Sequence, residues 1–434
     1  MKGMSKFQLI LTGIFGAFIL IGVLVFAFGQ SSKSKNIATA TIWGTMSSGM
    51  FESFLKEAGL DQDKTVKITY IEKRKDAFDQ EFLEALAVGK GPDLFFLSQD
   101  GVLKHQDKII PIPFTAFPER DFKNSFIEEG ELFIFGDGFL GLPFLIDPMV
   151  MYWNRDIFSN AGLSVPPKYW SEIYGLSASL TKKDANLNIN KSVIAFGEYG
   201  NITNASEILG LLVMQAGNPI TARRPEDGAV YNLFNQRLEN TVSPAVSALN
   251  FYTEFANPLK PFYSWNRALP ESKDFFLSGD LALYFGFASE LSDIRLKNPN
   301  LNFAVAPVLQ SKSSERIVTF GRMAVLAIAK NSANVGSAYQ VAYKLTNTQS
   351  ILALAKVTNL PPVRRELLAS RPPEAFLSVF YDGAIQARGW LSPEPARLGL
   401  IFKEMIESVT AGRAGTAQAV SKAHEQLDAV LKRP

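Results

Sequence analysis

The sequence predicts an α/β protein with two lobes, and three observations support this prediction. The chain has 434 residues, which is more than one ordinary hydrophobic core accommodates. Strand-like and helical segments alternate over residues 37–98, a pattern typical of a parallel sheet with helical crossovers. Strand-like runs return at 301–309 and 317–329 after a long helical block, which indicates that the chain crosses back to the first lobe.

The periodicity of apolar residues places the individual elements. Strands are predicted at 37–43, 66–72 and 93–98, and the third has the continuous apolar composition of a strand buried on both faces. Between these strands apolar residues recur at helical spacing, and the two helices end at Gly59 and Gly89. Further helices are predicted at 168–182, 205–216, 243–257, 271–279, 333–346, 348–357, 365–370, 394–411 and 416–432.

The N-terminus carries an apolar segment, Gln8–Gly29, whose length of about 22 residues is sufficient to cross a membrane as one helix. Lys2 and Lys6 precede it, and their charge orients the rest of the chain toward the outside of the cell. Ala27–Gly29 has the small side chains of a signal-peptidase site, so cleavage is the alternative. We expect a single-pass anchor at the cell membrane with an exported body, or a secreted protein if the signal is cleaved.

Composition removes several classes of function. The chain contains no cysteine, which excludes thiol nucleophiles, thiolate zinc sites, disulfides and a lipid-modified cysteine anchor. Four of the 44 basic residues lie in the first 35 positions, which contain no acid, so the remainder carries 40 basic and 42 acidic residues. This balance gives no support for nucleic-acid binding. His105 and His424 are distant in sequence and indicate neither a metal site nor a histidine-dependent nucleophile.

One glycine-rich segment, "GDGFLG" at 136–141, has the spacing of a dinucleotide-binding motif. That motif must open a helix whose N-terminus meets the pyrophosphate, whereas strand-like runs flank this segment. We therefore predict a hairpin turn at Asp137-Gly138 and no cofactor.

Three other segments carry a resemblance to a known family: "GKGPDLFFLSQD", "GLPFLIDPMVMYWNRDIFSNAGLSVPPKYWSEI" and "FGRMAVLAIAKNS". Their order and spacing resemble the extracellular solute-binding proteins of ABC importers, and more narrowly the sugar-binding group that includes maltose-binding protein. In that group a hinge strand enters the second lobe as "YYNKDLF", followed by "AGL" and "PPKTW". Trp153, Arg155 and Tyr169 are the departures from this pattern.

The resemblance covers about 38–432 and implies a type II periplasmic-binding-protein-like fold, in which two α/β lobes close on a ligand. It implies crossovers near 146–148, 306–308 and 346–349. The implied divisions are an anchor and tether at 1–36, lobe one at 38–146 and 308–346, and lobe two at 148–305 and 349–432.

The first lobe and the crossover that follows it offer three candidate ligand contacts. Trp43 ends the first strand, where its indole either stacks on a sugar ring or is buried between sheet and helix. Asp100 follows the third strand and either accepts hydrogen bonds from sugar hydroxyls or only starts a turn or caps a helix. Asp147 interrupts an apolar hinge run, where an unpaired carboxylate is costly, so it meets ligand, solvent, a cation or hinge backbone.

The remaining candidates follow from the family pattern in the second lobe and the returning strand: Asn204, Glu207, Trp265, Phe287, Gly321 and Arg322. Asn204 is equally suited to cap the following helix. Phe287 stands where the family often has tryptophan, which weakens the case for an extended oligosaccharide platform. Arg322 either binds an acidic sugar or pairs with an internal carboxylate such as Asp147.

The resemblance implies a monomeric receptor without cofactor or metal, which captures a small solute, foremost a carbohydrate, and delivers it to an ABC permease. Two alternatives stay open. One is a sensor or surface-adhesion domain on the same fold. The other is a glycosidase in which Asp100 and Asp147 act as paired carboxylates, although nothing in the sequence sets their separation.

Overall fold

The computed structural model describes residues 37–224, 228–237, 242–312, 314, 316–392 and 394–432. Within these ranges no helix is both long enough and apolar enough to cross a membrane. The predicted membrane segment, Gln8–Gly29, lies outside the described residues.

The strands are β1 (Ala38–Gly44), β2 (Val66–Glu72), β3 (Leu94–Ser98), β4 (Ile112–Pro113), β5 (Ile134–Phe135), β6 (Gly138–Phe139), β7 (Leu142–Asn154), β8 (Lys182–Lys183), β9 (Ile189–Ile194), β10 (Thr221–Arg223), β11 (Val230–Asn232), β12 (Leu281–Phe287), β13 (Phe303–Ala306), β14 (Thr319–Ile328) and β15 (Ala387–Arg388).

The α-helices are α1 (Ser48–Glu57), α2 (Phe78–Ala87), α3 (Val102–His105), α4 (Glu119–Ser125), α5 (Arg155–Asn160), α6 (Ile173–Leu180), α7 (Ala205–Gln215), α8 (Pro244–Glu254), α9 (Ser272–Leu277), α10 (Leu291–Lys297), α11 (Val335–Leu345), α12 (Thr348–Thr358), α13 (Arg365–Leu368), α14 (Ala375–Gln386), α15 (Pro395–Thr410) and α16 (Thr416–Leu431).

The sheet begins as the sequence predicts, with parallel strands joined by helices. β1 pairs with β2 in parallel along its whole length, and β3 joins the other side of β1 in parallel at Ile42 and Leu94. Ser47 begins α1 by accepting the amide hydrogen of Met50 on its side chain. Gly59 follows this helix with a φ of 70°, a conformation that favours glycine at helix ends.

The full sheet is mixed rather than parallel throughout. Its order is β2-β1-β3-β14-β7-β12-β9-β8, with β13 pairing with β7 and β15 pairing with β14. The 13-residue strand β7 joins the two halves. Its first part is antiparallel to β14, and its second part is antiparallel to β12 and β13.

Two separate hydrophobic cores correspond to the two lobes. The first core contains apolar residues of β1–β3, α1, α2, α11 and α12, and the second contains residues of β9, β12, α7, α8, α15 and α16. On β7 the change occurs between Ile146, in the first core, and Met149, in the second. On β14 it occurs between Phe320, in the second core, and Met323, in the first.

The core memberships differ from the division expected from the resemblance. Helix α12, expected in lobe two, packs in the first core together with α11. The third passage between the cores lies at α14, where Phe380 packs in the second core and Tyr381 in the first. The resemblance implies that the chain returns to the first lobe near 306–308, but Val308 and Val318 still pack in the second core. The chain enters the first core only after Phe320, on β14.

The glycine-rich segment forms a hairpin, but its turn lies one residue earlier than predicted. β5 and β6 are antiparallel and pair Phe135 with Gly138, so the turn residues are Gly136, at a φ of 58°, and Asp137, and Gly138 belongs to β6. A left-handed residue in a two-residue turn matches the twist of the flanking strands.

Candidate functional site

Asp147 and Arg322 lie directly opposite each other in the antiparallel register of β7 and β14. This is the level at which both strands pass from one core to the other, and the adjoining pair is Pro148 with Gly321. Residues directly opposed on antiparallel strands project from the same face of a sheet. The crossover therefore presents one acidic and one basic side chain side by side.

The carboxylate of Asp147 is held by the second lobe. It accepts a hydrogen bond from the backbone amide of Ser289 at 3.0 Å and one from the Ser289 hydroxyl at 2.6 Å. Burial is the main influence on this group and raises its pKa to about 6, while Ser289 and Arg322 act in the opposite direction. Asp147 is thus a carboxyl that changes charge in mildly acidic solution.

The guanidinium of Arg322 also reaches the second lobe. Its Nη2 pairs with Oε1 of Glu207, on the first turn of α7. The same guanidinium lies 3.7 Å from the ring centroid of Phe287, in a cation–π contact. Arg322 does pair with an internal carboxylate, as one alternative predicts, but that carboxylate is Glu207 instead of Asp147.

Asp100 follows β3 at the carboxyl end of the parallel strands, where ligands of such sheets bind. It keeps an exposed surface, and no hydrogen-bond partner for its carboxylate occurs among the described residues. The surrounding protein limits its hydration and raises its pKa; the charge of Arg322 lowers that pKa, and the charge of Glu207 raises it. Asp100 therefore lies within the electrostatic field of the Arg322–Glu207 pair.

These residues form the crossover cluster, which consists of Asp100, Asp147, Glu207, Ser289 and Arg322. Groups of the second lobe fix the segment that carries Ser289. Glu290 accepts the backbone amide hydrogen of Phe287 at 2.8 Å and the hydroxyl hydrogen of Tyr284 at 2.7 Å. The Tyr152 hydroxyl donates to the carbonyl oxygen of Phe287 at 2.7 Å. The cluster thus combines free carboxylate oxygens with a rigid frame.

Three of the predicted ligand contacts, Trp43, Trp265 and Gly321, lie outside the crossover cluster. Trp265 is fully buried in the second core, and its indole N–H donates to Asn201, so it has no surface to offer a ligand. Trp43 is 7% exposed, packs in the first core and has the ammonium of Lys73 over its ring at 3.8 Å. Gly321 is buried beside β15, where an added Cβ would come within 2.6 Å of the Ala387 Cβ.

Asn204 occupies the N-cap position of α7 without a capping side-chain bond. Its φ is 62°, and its side-chain amide donates to the carbonyl oxygen of Phe285 at 3.3 Å and to Glu290 at 3.4 Å. Asn204 therefore supports the frame around the cluster. Phe287 is 1% exposed and lies beneath Arg322, so its ring contacts the guanidinium.

The comparison with family models decides the class of the protein. The model described as bacterial extracellular solute-binding protein matches residues 49–375. The chain belongs to that family. Solved structures of sugar-binding proteins have the same fold as this solute-binding protein, and the family places the body outside the cytoplasm.

Two solved structures illustrate the similarity in fold. The cyclic α-maltosyl-1,6-maltose binding protein from Arthrobacter globiformis is 15% identical with a TM-score of 0.74, and the alignment covers 91% of this chain and 99% of that one. A cyclo/maltodextrin-binding protein complexed with maltotetraose is 16% identical with a TM-score of 0.73, covering 91% and 97%.

Among curated proteins, the Brucella abortus (strain 2308) protein named "Putative binding protein" is 22% identical over 163 residues. The alignment covers 37% of this chain and 40% of that protein, so it spans less than half of the relative's length.

In this solute-binding protein the sequence did not single out Ser289, which belongs to the cluster, or Gln99, which precedes Asp100 in the chain. Ser289 bonds Asp147, and the buried side chain of Gln99 accepts the backbone amide hydrogen of Met323 at 2.9 Å. Gln99 follows β3 directly and Ser289 lies two residues after β12, and these positions at strand ends are the sequence signal that could have indicated them. The cluster can accept and donate hydrogen bonds, and Arg322 supplies one positive charge among three acids.

Proposed function

We propose that this protein is an exported receptor that captures a small solute, foremost a carbohydrate, between its two lobes and delivers it to an ABC permease. The ligand contacts are Asp100, Asp147, Glu207 and Arg322, with Ser289 as an additional donor. The mechanism is binding coupled to hinge closure, without chemical conversion of the solute. The family match supports this reading, because the family consists of binding proteins.

The observation that carries the proposal is the position of Asp147 opposite Arg322 where two strands change core. Asp147 and Arg322 lie on the strands that pass between the two cores, and the side chain of each bonds to a residue of the second lobe. A ligand that replaces these bonds interacts with both lobes at once. Such a ligand stabilises the closed form more than the open form, which is the thermodynamic requirement for closure.

Carbohydrate suits the chemistry of the cluster. A carboxylate accepts hydrogen bonds from two neighbouring hydroxyls, and each charge-assisted bond is stronger than a neutral one. Asp100 has both carboxylate oxygens available in the described structure. Arg322 donates several hydrogen bonds from a fixed plane, which suits ring and hydroxyl oxygens. Two of the structural neighbours bind maltose-type oligosaccharides, as their names state.

The size of the solute follows from the aromatic residues. Long oligosaccharides rest on exposed aromatic rings, which cover the apolar faces of successive sugars. The three aromatic candidates, Trp43, Trp265 and Phe287, are at most 7% exposed. We therefore propose a monosaccharide or a short oligosaccharide as the ligand.

The N-terminal segment supports attachment at the cell membrane. Gln8–Gly29 is long enough to span the bilayer, and the chain has no cysteine for a lipid anchor. A tethered receptor stays close to a permease in the same membrane. It also suits a sensor, so transport and sensing must be separated by experiment.

The test is calorimetric titration of the full chain in mild detergent with glucose, mannose, maltose and maltotetraose, and with amino acids and polyamines. We expect saturable binding of at least one sugar, and its loss in Asp147→Ala. Asp121→Asn, which changes an exposed acid on α4, is the matched control and should bind normally. If only amino acids or polyamines bind, the assignment of a sugar as the solute is overturned. If none of these compounds binds, the proposal that the protein is a receptor is overturned.

A gene deletion in the parent organism then separates transport from sensing. Loss of uptake of the bound sugar supports delivery to a permease. Normal uptake with a lost transcriptional response to that sugar contradicts delivery and favours the sensor alternative.

A further inference from the structure

A polar cavity of about 270 Å³ has a lining distinct from the crossover cluster. Its walls are the segment Glu128–Ile134 that follows α4, strands β10 and β11, and the stretch Arg388–Leu391 at and after β15. None of the cluster residues lines it. The proposal below therefore does not depend on the ligand of the crossover cluster.

Glu129 is one of two unsatisfied groups in this cavity. It is 2% exposed, and its Oε1 has no hydrogen-bond partner among the described residues. Burial raises its pKa well above the ordinary value, whereas Arg388 and the backbone amide of Gly389 act in the opposite direction. A buried carboxyl oxygen without a partner costs free energy, so native proteins nearly always satisfy such atoms.

Arg223, on β10, is the other unsatisfied group. Its Nη1 donates to the carbonyl oxygen of Ile134, and its guanidinium lies 5.0 Å from the ring centroid of Phe135. Its Nε and Nη2 are buried and have no partner within the described parts of the chain. These two nitrogens share one edge of the guanidinium, and that edge donates two parallel hydrogen bonds to a carboxylate.

The other charges at the cavity are already paired. Arg388 bonds to Glu128, and Glu131 lies 3.5 Å from the ammonium of Lys123. The free capacity thus consists of one double donor, on Arg223, and one acid oxygen, on Glu129. A matching molecule brings a carboxylate to Arg223 and a hydrogen-bond donor to Glu129.

The backbone at Gly389 fixes the form of the wall beside Glu129. A Cβ at this position would lie 2.5 Å from Oε1 of Glu129 and 2.4 Å from Nε2 of Gln99. Glycine is therefore the residue that allows the chain to approach both side chains.

We propose that this cavity binds a small carboxylic acid that also carries a hydroxyl or ammonium group, with Arg223 holding the carboxylate and Glu129 holding the second group. The cavity volume of about 270 Å³ admits a hydroxy acid or an amino acid and leaves room for a larger molecule, so the unpartnered polar atoms and not the volume set the ligand class. Binding satisfies three polar atoms that have no partner in the part of the chain that the structure describes.

The test is calorimetric titration of the full chain in mild detergent with glycolate and glycine, beside acetate, which lacks the second group, and ethylene glycol, which lacks the carboxylate. We expect saturable binding of glycolate or glycine, weaker binding of acetate and none of ethylene glycol. Arg223→Met should weaken the binding about tenfold or more, because two charge-assisted bonds are lost. Arg413→Met, at an exposed arginine after α15, should leave it unchanged.

Glu129→Met gives the second variant, which removes both carboxyl oxygens at a similar side-chain length and serves if the arginine variant fails to fold. We expect it to bind acetate as before and to lose the preference for glycolate or glycine over acetate, because the acceptor of the second group is gone. The proposal is overturned if no carboxylate binds saturably, if ethylene glycol binds as well as glycolate, or if the preference survives in Glu129→Met.

Discussion

Arg322 lies opposite Asp147 on paired strands, yet it bonds to Glu207 in the second lobe, while Asp147 bonds to Ser289. The two strands that connect the lobes are therefore cross-linked to the second lobe by side chains at the point where they change core. In the proposed mechanism, a solute that binds between the lobes exchanges these bonds for its own.

The Arg322–Glu207 pair should contribute little to stability by itself. The two side chains are 38% and 21% exposed, and partly exposed ion pairs are worth about 1 kcal/mol or less. A double-mutant cycle with Arg322→Met and Glu207→Gln, measured by denaturant unfolding, should give a coupling energy of that size. Solute affinity should fall about tenfold or more in Arg322→Met. A coupling energy of several kcal/mol together with an unchanged solute affinity would contradict this prediction, because the pair would then stabilise the fold and not bind the solute.

The charge of Asp147 should make stability depend on pH in a predictable direction. Its pKa is about 6 in the folded protein against an ordinary value of 3.8, so the folded state holds this proton more tightly than the unfolded state. The stabilisation that the folded state gains from the protonated form of Asp147 is complete below about pH 4 and is lost as the pH rises through about 6. Asp147→Asn removes this titration.

The measurement for Asp147 is thermal unfolding of wild type and Asp147→Asn without solute across this pH range. The Tm of the variant relative to wild type should rise from about pH 4 to above pH 6 and then level off. Asp100 and Glu129, whose pKa values are also raised, remain in both proteins and cancel in the difference. A difference that is flat or falls with pH would contradict the assignment.

Gly321→Ala should destabilise the crossover. The new Cβ would lie 2.6 Å from the Ala387 Cβ and 3.0 Å from Cδ1 of Ile146, in a fully packed region. Overpacking of this kind costs about 1–3 kcal/mol. Gly175→Ala is the matched control: it lies on the exposed side of α6, and beyond its own helix backbone and chain neighbours a new Cβ there would meet no described atom within 4 Å. Alanine should therefore stabilise the helix by about 0.5–1 kcal/mol. Equal effects in denaturant unfolding would refute the packing argument.

Trp265→Ala should show whether Trp265 is a core residue or a ligand contact. The side chain is fully buried and contacts the ring of Phe275, so its removal should lower the free energy of unfolding by about 3–5 kcal/mol. The folded fraction should bind solute with wild-type affinity, measured by titration below the Tm. A variant with wild-type stability and a lower solute affinity would contradict this prediction and would indicate that Trp265 contacts the solute.

Much of the backbone could be predicted from periodicity. The strand predicted at 66–72 is β2, and the helices predicted at 205–216 and 416–432 are α7 and α16, each one residue shorter at its end. These elements have one apolar face or a continuous apolar run with clear ends. Helix α14 was not predicted, because it follows a Pro-Pro pair and carries apolar residues on several faces where it touches both cores.

Side-chain partners were less accessible to sequence reasoning. The sequence indicates that Arg322 and Asp147 belong to crossing strands, but the register alone suggests a bond between them. The bond to Glu207 depends on where α7 lies, which is a matter of tertiary packing. Trp265 shows the same limit, since an aromatic residue in a loop has the same local sequence whether it faces a cleft or a core.

The central claim is that the two lobes close on a solute, and a distance measurement between them tests it most directly. The chain has no cysteine, so Lys67→Cys on β2 and Lys297→Cys on α10, both exposed, allow one spin label on each lobe. Pulsed electron paramagnetic resonance should show a shorter and narrower distance distribution when the sugar that binds in calorimetry is saturating. A distribution that stays the same at saturating sugar would contradict the account.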